Sequence, residues 1–233
     1  MTEKSVLIVA HGQPSDPAPA LAELQVLASQ VAQHLPDWQV QAATLATGLP
    51  PHQGLVFPMF MAGGWFTRVA LSQKLAAVGG AGRVLEPFGC DPAVHHLATQ
   101  IVAEAVGDMQ GAEVLIAAHG SFKSSAPSDV AYHLARRFLQ MGARRAEAAF
   151  IDQDPQLAHV TGFGPKAVCL PFFAARGSHV AQDIPQALSG FAGRILPHLG
   201  GDARVPDLIA NAIAAGVSVC TDTCRYSLNP VQV

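Results

Sequence analysis

Short apolar runs that stop abruptly punctuate this chain. Those at 6–10, 55–61, 114–118 and 167–173 hold almost no polar residue, and each ends at a turn. Runs of that length read as strands buried on both faces of a parallel sheet. A further strand is expected over 146–151, ending at Asp152. Between the runs the period changes. Leu21, Leu24, Leu27, Ala28, Val31 and Leu35 follow the spacing of a helix with one apolar stripe, and 130–141 behaves likewise, with Ser128 or Asp129 available as its N-cap. A helix over 92–106 closes the first part of the chain. Strand, loop and helix in repeated order specify parallel sheets with helices on both faces and right-handed crossovers.

The pattern occurs twice. Ser-Val-Leu-Ile-Val-Ala-His11-Gly12 returns as Glu-Val-Leu-Ile-Ala-Ala-His119-Gly120. Phe57-Pro58-Met-Phe-Met-Ala-Gly-Gly64-Trp65-Phe66 aligns with Leu170-Pro171-Phe-Phe-Ala-Ala-Arg-Gly177-Ser178-His179, and Gly82-Arg-Val-Leu aligns with Gly193-Arg-Ile-Leu. A duplicated unit of roughly 110 residues therefore covers almost the whole chain. The expectation is two homologous three-layer α/β/α lobes with parallel sheets, one over 1–109 and one over 110–218, facing each other across a cleft, with 219–233 as a surface tail.

Composition narrows the class. Half of the 233 residues are hydrophobic and 13% are charged, which leaves little solvated or disordered sequence. A net charge of -3 argues against a nucleic-acid partner, which asks for a basic stripe. No run approaches the length of a membrane span, and the apolar segment at the N-terminus is too short for a secretion signal. A cytoplasmic protein with no membrane partner is expected, its four cysteines kept as thiols.

Residues just past the carboxyl ends of parallel strands face the binding crevice of such a fold. That rule singles out His119, Asp152 at the end of the third strand, and His179 in the loop after Pro171. Asp183 lies four residues on from His179, where a carboxylate can fix the imidazole tautomer, although Pro185 also allows Asp183 to be an N-cap. The corresponding positions of the first half are His11, Ala46, Phe66 and Ala70. Imidazoles with a carboxylate can bind a divalent ion or exchange protons near neutral pH; alanine and phenylalanine can only offer apolar surface. The working site is therefore expected in the second half. His95, His96 and His133 fall in helical stretches as core or surface residues, and His198 is a loop histidine.

The segment from Val114 to Ser121, the run Leu170-Pro-Phe-Phe through Gly177-Ser-His179-Val-Ala-Gln-Asp183-Ile-Pro185, and Leu196-Pro-His-Leu-Gly-Gly-Asp202 carry a resemblance in order and spacing. The sequence resembles the sirohydrochlorin cobaltochelatase/ferrochelatase family, the class II tetrapyrrole chelatases (CbiX/SirB type), in their long form with two fused halves. The resemblance implies a chelatase fold and a lyase that inserts Co2+ or Fe2+, with Ni2+ as a further candidate, into sirohydrochlorin or a related tetrapyrrole for siroheme or cobalamin. It places metal binding and acceptance of the pyrrole protons on His119 and His179. Asp152, the third expected metal ligand, stands where many members carry glutamate. Long-form members often keep the site in their N-terminal half, which here has Phe66 where the second histidine would be.

A polycarboxylate substrate calls for cations and hydroxyls beside the crevice. Ser121, Lys123 and Arg176 are the candidates, joined by Arg68, Ser124 and Ser125, while Trp65 and Phe66 are placed to stack on a macrocycle. No permanently bound cofactor is expected, and the chain has no Walker-type loop for ATP. Cys220 and Cys224 cannot complete a four-thiolate cluster by themselves. Two fused halves favour a monomer. The alternative function is a noncatalytic carrier of tetrapyrrole or metal.

Overall fold

Each buried run becomes a strand of one of two four-stranded parallel sheets. The computed structural model describes residues 4–220 and 225–228, and these divide into two compact units. In unit 1 the strands are β1 (Lys4–Ala10), β2 (Trp38–Thr44), β3 (Leu55–Pro58) and β4 (Arg83–Val84), ordered β2-β1-β3-β4. In unit 2 they are β5 (Glu113–Ala118), β6 (Arg145–Phe150), β7 (Val168–Pro171) and β8 (Arg194–Ile195), ordered β6-β5-β7-β8. The central strands β1 and β5 are apolar because both their edges are paired and both their faces covered: Val6 to Val9 and Val114 to Ala117 are fully buried. The runs read from sequence extend past the ladders because Met59 and Phe172 stay buried and bond once more, their N–H groups donating to Val9 and Ala117.

Helices α1 (Pro17–His34) and α2 (Leu71–Ala77) flank the first sheet; α4 (Ala126–Gln140) and α5 (Ile184–Ala187) flank the second. Both α1 and α4 start earlier than their apolar periods suggest. Each has proline in its first turn, where a missing N–H costs nothing. Ser128 and Asp129, expected as N-caps of α4, therefore lie inside its first turn, and Asp129 accepts a bond from the Ser125 hydroxyl at 3.0 Å.

The boundary between units departs from the boundary between repeats. Helices α3 (Pro92–Val106) and α6 (Val205–Ala215) close corresponding repeats in sequence, yet each packs in the other compact unit. Unit 2 runs from Pro92 to Asp202, which includes α3, and resumes at Arg225; unit 1 ends its first stretch at Asp91 and resumes at Ala203, which gives it α6. Equivalent arginines tie these helix ends down. Arg83 donates to Gly216 O at 2.7 Å beyond α6, and Arg194 donates to Ala105 O at 2.9 Å in the last turn of α3.

The expected surface tail is docked where it is described. Ser218 bridges Leu85, Val219 N–H donates to Val84 O, and Val219 packs against the core of unit 1. Tyr226, in unit 2, stacks on His95 with ring centroids 4.4 Å apart and on His133 at 4.4 Å. His95 is thus a fully buried core residue. Cys224 lies outside the described residues.

Candidate functional site

β5 delivers His119, and the next residue turns the chain. Gly120 has φ +73°, and a Cβ there would lie 2.6 Å from Gln153 Cγ and 2.9 Å from Phe150 Cβ, so both conformation and space demand glycine. The ladder between β5 and β6 runs one bond beyond the strands, with Asp152 N–H donating to His119 O at 2.9 Å. That register brings the Asp152 carboxylate to 3.6 Å from His119 Nδ1.

β7 leads through a loop to a π-helical turn, His179–Asp183, in which the Ile184 N–H donates to His179 O, five residues back. Single π turns recur at functional sites because they re-aim side chains. Here the turn sets Asp183 Oδ2 2.6 Å from His179 Nδ1 and feeds directly into α5, whose first turn accommodates Pro185. Asp183 is both the residue preceding α5 and the partner of His179; its carboxylate makes no cap bond. The His119 and His179 rings meet edge to face, centroids 4.7 Å apart and planes at 88°, with Phe173 6.4 Å from His179.

Hydrogen bonding fixes which nitrogens are available. His119 Nδ1 lies 3.0 Å from Gly120 O, which can only accept, and His179 Nδ1 faces a carboxylate, which also accepts. Neutral imidazoles in these positions carry their proton on Nδ1 and keep the Nε2 lone pair. Both side chains are accessible, 45% and 39% exposed. Of the three residues expected to bind metal, the two imidazoles meet each other, whereas Asp152 meets the Nδ1 edge of His119. Among the described residues no three His, Cys, Asp or Glu side chains form a metal-binding group.

Unit 1 repeats the scaffold without the imidazole pair. Gly12 has φ +74°, His11 Nδ1 lies 3.1 Å from Gly12 O, and Ala46 N–H donates to His11 O. A second π turn, Phe66–Ala70, stands where His179–Asp183 stands in unit 2. Phe66 takes the position of the second imidazole, edge to face with His11 at 5.6 Å. Trp65 and Phe66 are 61% and 43% exposed.

The expected substrate contacts divide into two groups. Lys123 and Arg176 are exposed in the loops that follow β5 and β7. Ser121 joins the first loop, its hydroxyl accepting the Lys123 N–H at 3.1 Å. Arg68, Ser124 and Ser125 are committed elsewhere: Arg68 donates to Gly63 O, Ser124 accepts from the Ala126 N–H, and Ser125 bonds Asp129. Gln153 was invisible in the motifs, yet its Oε1 accepts the Ser121 N–H at 2.8 Å and its stem packs on Gly120, fixing the His119 loop. Its only sequence signal is adjacency to Asp152. Phe122, 81% exposed in the same loop, is a second residue the motifs did not mark.

The CbiX family model matches residues 113–215. Among solved structures, CbiX, described as the terminal enzyme for biosynthesis of siroheme in denitrifying bacteria, is 42% identical, with a TM-score of 0.84 over 92% of this chain and 100% of that one. SirB from Bacillus subtilis with Fe3+ is 14% identical, with a TM-score of 0.72 over 98% of this chain and 100% of its own. The sirohydrochlorin chelatase SirB from Bacillus subtilis subspecies spizizenii, in complex with cobalt, is 15% identical, with a TM-score of 0.61 over 93% of this chain and 94% of its own. At such identities the SirB likenesses show the fold alone. No curated protein matches the chain.

Proposed function

The chain belongs to the CbiX family, and from that premise we propose that it inserts a divalent metal ion into sirohydrochlorin, without ATP, at the imidazole pair His119 and His179. The observation that carries this reading is the pair itself: two rings 4.7 Å apart, each with Nδ1 turned to an acceptor and Nε2 left with its lone pair. Insertion requires removal of two pyrrole N–H protons and exchange of a hydrated ion's ligands. Neutral imidazoles accept the protons, and two nitrogen ligands hold an ion loosely enough to release it to the macrocycle. A closed four-ligand cage would retain it.

Asp183 holds His179 in its tautomer and stabilises the imidazolium that forms when a proton arrives. Gly120 O holds the tautomer of His119, and Asp152, 3.6 Å from the same Nδ1, adds its negative charge behind that ring rather than a third ligand beside Nε2. Lys123, Arg176 and Ser121 pair with the substrate carboxylates; Trp65 and Phe66, in the corresponding loop of unit 1, offer apolar surface suited to stacking on a flat ring. Co2+ and Fe2+ are the proposed ions, with Ni2+ third; imidazole and carboxylate donors rank divalent ions only by general affinity and do not select among the three. The metal is substrate, and the chain acts as a monomer in the cytoplasm.

The test follows the absorbance change of sirohydrochlorin with Co2+ or Fe2+ above the uncatalysed rate. Loss of either general base is expected to cost about 100-fold or more. His119→Ala and His179→Ala should therefore fall close to the uncatalysed rate, while His11→Ala stays near wild type. Full activity in both site variants would overturn the assignment. Binding of the tetrapyrrole with no acceleration by the wild type would make the protein a carrier.

A further inference from the structure

Two sulfurs and a guanidinium meet beside Gly63 in unit 1. The Gly63 N–H donates to Cys90 Sγ at 3.1 Å, and Arg68 Nη2 donates to Gly63 O at 3.0 Å and to Cys220 Sγ at 3.5 Å. A Cβ in place of the one Gly63 lacks would touch Cys220 Sγ at 3.6 Å, Cys90 Sγ at 3.7 Å and Arg68 Nη2 at 3.9 Å. Both thiols thus border one point. They come from distant parts of the chain. Cys90 ends the 3₁₀ turn Phe88–Cys90 and is buried, whereas Cys220 follows α6 and is half-buried. Cys169 makes the contrast: it lies in the core of β7, where burial pushes its pKa up to about 12.

We propose that Cys90 and Cys220 form a reversible thiol–disulfide pair whose oxidant is a hydroperoxide. The accessible Cys220 sulfur attacks the peroxide: a sulfur–oxygen bond forms, the oxygen–oxygen bond breaks, and the departing oxygen leaves with the thiol proton. Arg68 stands against that sulfur, where a cation stabilises the negative charge of the attacking form. Cys90 then attacks the sulfenic sulfur; the sulfur–sulfur bond forms, and the hydroxyl leaves as water with the Cys90 proton. Two thiols have lost two protons and two electrons, and hydrogen peroxide has become two waters. The bond fastens the segment after α6 to the Phe88–Cys90 turn. The loop leading to Trp65 and Phe66 rests on that same turn, through the Gly63 N–H on Cys90 and the Gly89 N–H on Phe60 O at 2.9 Å. In a reducing compartment, disulfides of this kind are transient and regulatory.

The test treats the full chain with hydrogen peroxide, blocks remaining thiols with N-ethylmaleimide, and maps the digested peptides by mass spectrometry. The expected product is the Cys90 peptide joined to the Cys220 peptide, separable by dithiothreitol, with Cys169 still a thiol. The link should form equally in Cys224→Ser and be absent from Cys220→Ser, whose half-buried position allows it to fold and melt as the wild type does. A Cys220–Cys224 bond, sulfinic acid at Cys220 without the link, or two alkylated thiols after peroxide would each overturn the proposal. The readout is independent of metal insertion.

Discussion

Asp183 and Asp152 stand behind different imidazoles at different distances, 2.6 and 3.6 Å, and the difference has kinetic weight. The shorter contact is a charge-assisted hydrogen bond; the longer is a through-space attraction beyond hydrogen-bond range. Carboxylates that orient a functional histidine typically contribute 10- to 100-fold, so Asp183→Asn is expected to lower kcat by about that factor with melting unchanged, and Asp152→Asn by less. Two histidines outside the site govern acid stability. His52 is buried, with Nε2 2.9 Å from Leu55 O, and burial lowers its pKa from the ordinary 6.5; His133 is lowered by burial and then by Arg137 and Arg136. A histidine depressed in the folded state binds fewer protons there than in the unfolded chain, so its contribution is complete above pH 6.5 and declines as pH falls through the lowered values. The melting temperature should drop between neutral pH and about pH 5, and the drop should shrink in the His52→Gln, His133→Gln double variant.

Strands β1, β3, β5 and β7 were legible as apolar runs because parallel strands buried on both faces leave no room for polar positions; β2, an edge strand with polar residues at alternate positions, was not. The helices were legible from their stripes but not in their starts, since proline in the first turns of α1 and α4 moved the starts upstream of the first apolar contact. That His119, Asp152, His179 and Asp183 come together could be read from the rule that strand ends face one crevice, and the broken repeat said which half has these residue types. The π turns could not be read. A run of five residues does not announce whether its bonds close after four or five. That both units make the same turn, at Phe66–Ala70 and His179–Asp183, shows that it belongs to the scaffold rather than to the histidine. Gln153 was missed for a related reason: its contact with the Ser121 N–H joins two loops from different strands, and no periodicity records such a meeting.

At the scale of the molecule, sequence repeat and compact unit are different divisions of the chain. An apolar stripe on α3 or α6 states that the helix must be covered but not by which sheet, so the exchange of these helices leaves no mark in either half. The family match over 113–215 follows the repeat, from the first residue of β5 to the last of α6. Stability should follow the units instead. A fragment of residues 92–202, which retains α3 over β7, is expected to melt cooperatively by circular dichroism, whereas a fragment of 110–218 lacks α3, carries α6 without α1, and should not. The same exchange sets a schedule during synthesis. Every strand and helix of unit 2 lies in one stretch from Pro92 to Asp202, with Tyr226 joining later, while unit 1 must wait for α6, which emerges from the ribosome only after that stretch is complete. The half translated second has all of its strands and helices first, so the imidazole pair has its fold while the older sheet is still missing a wall.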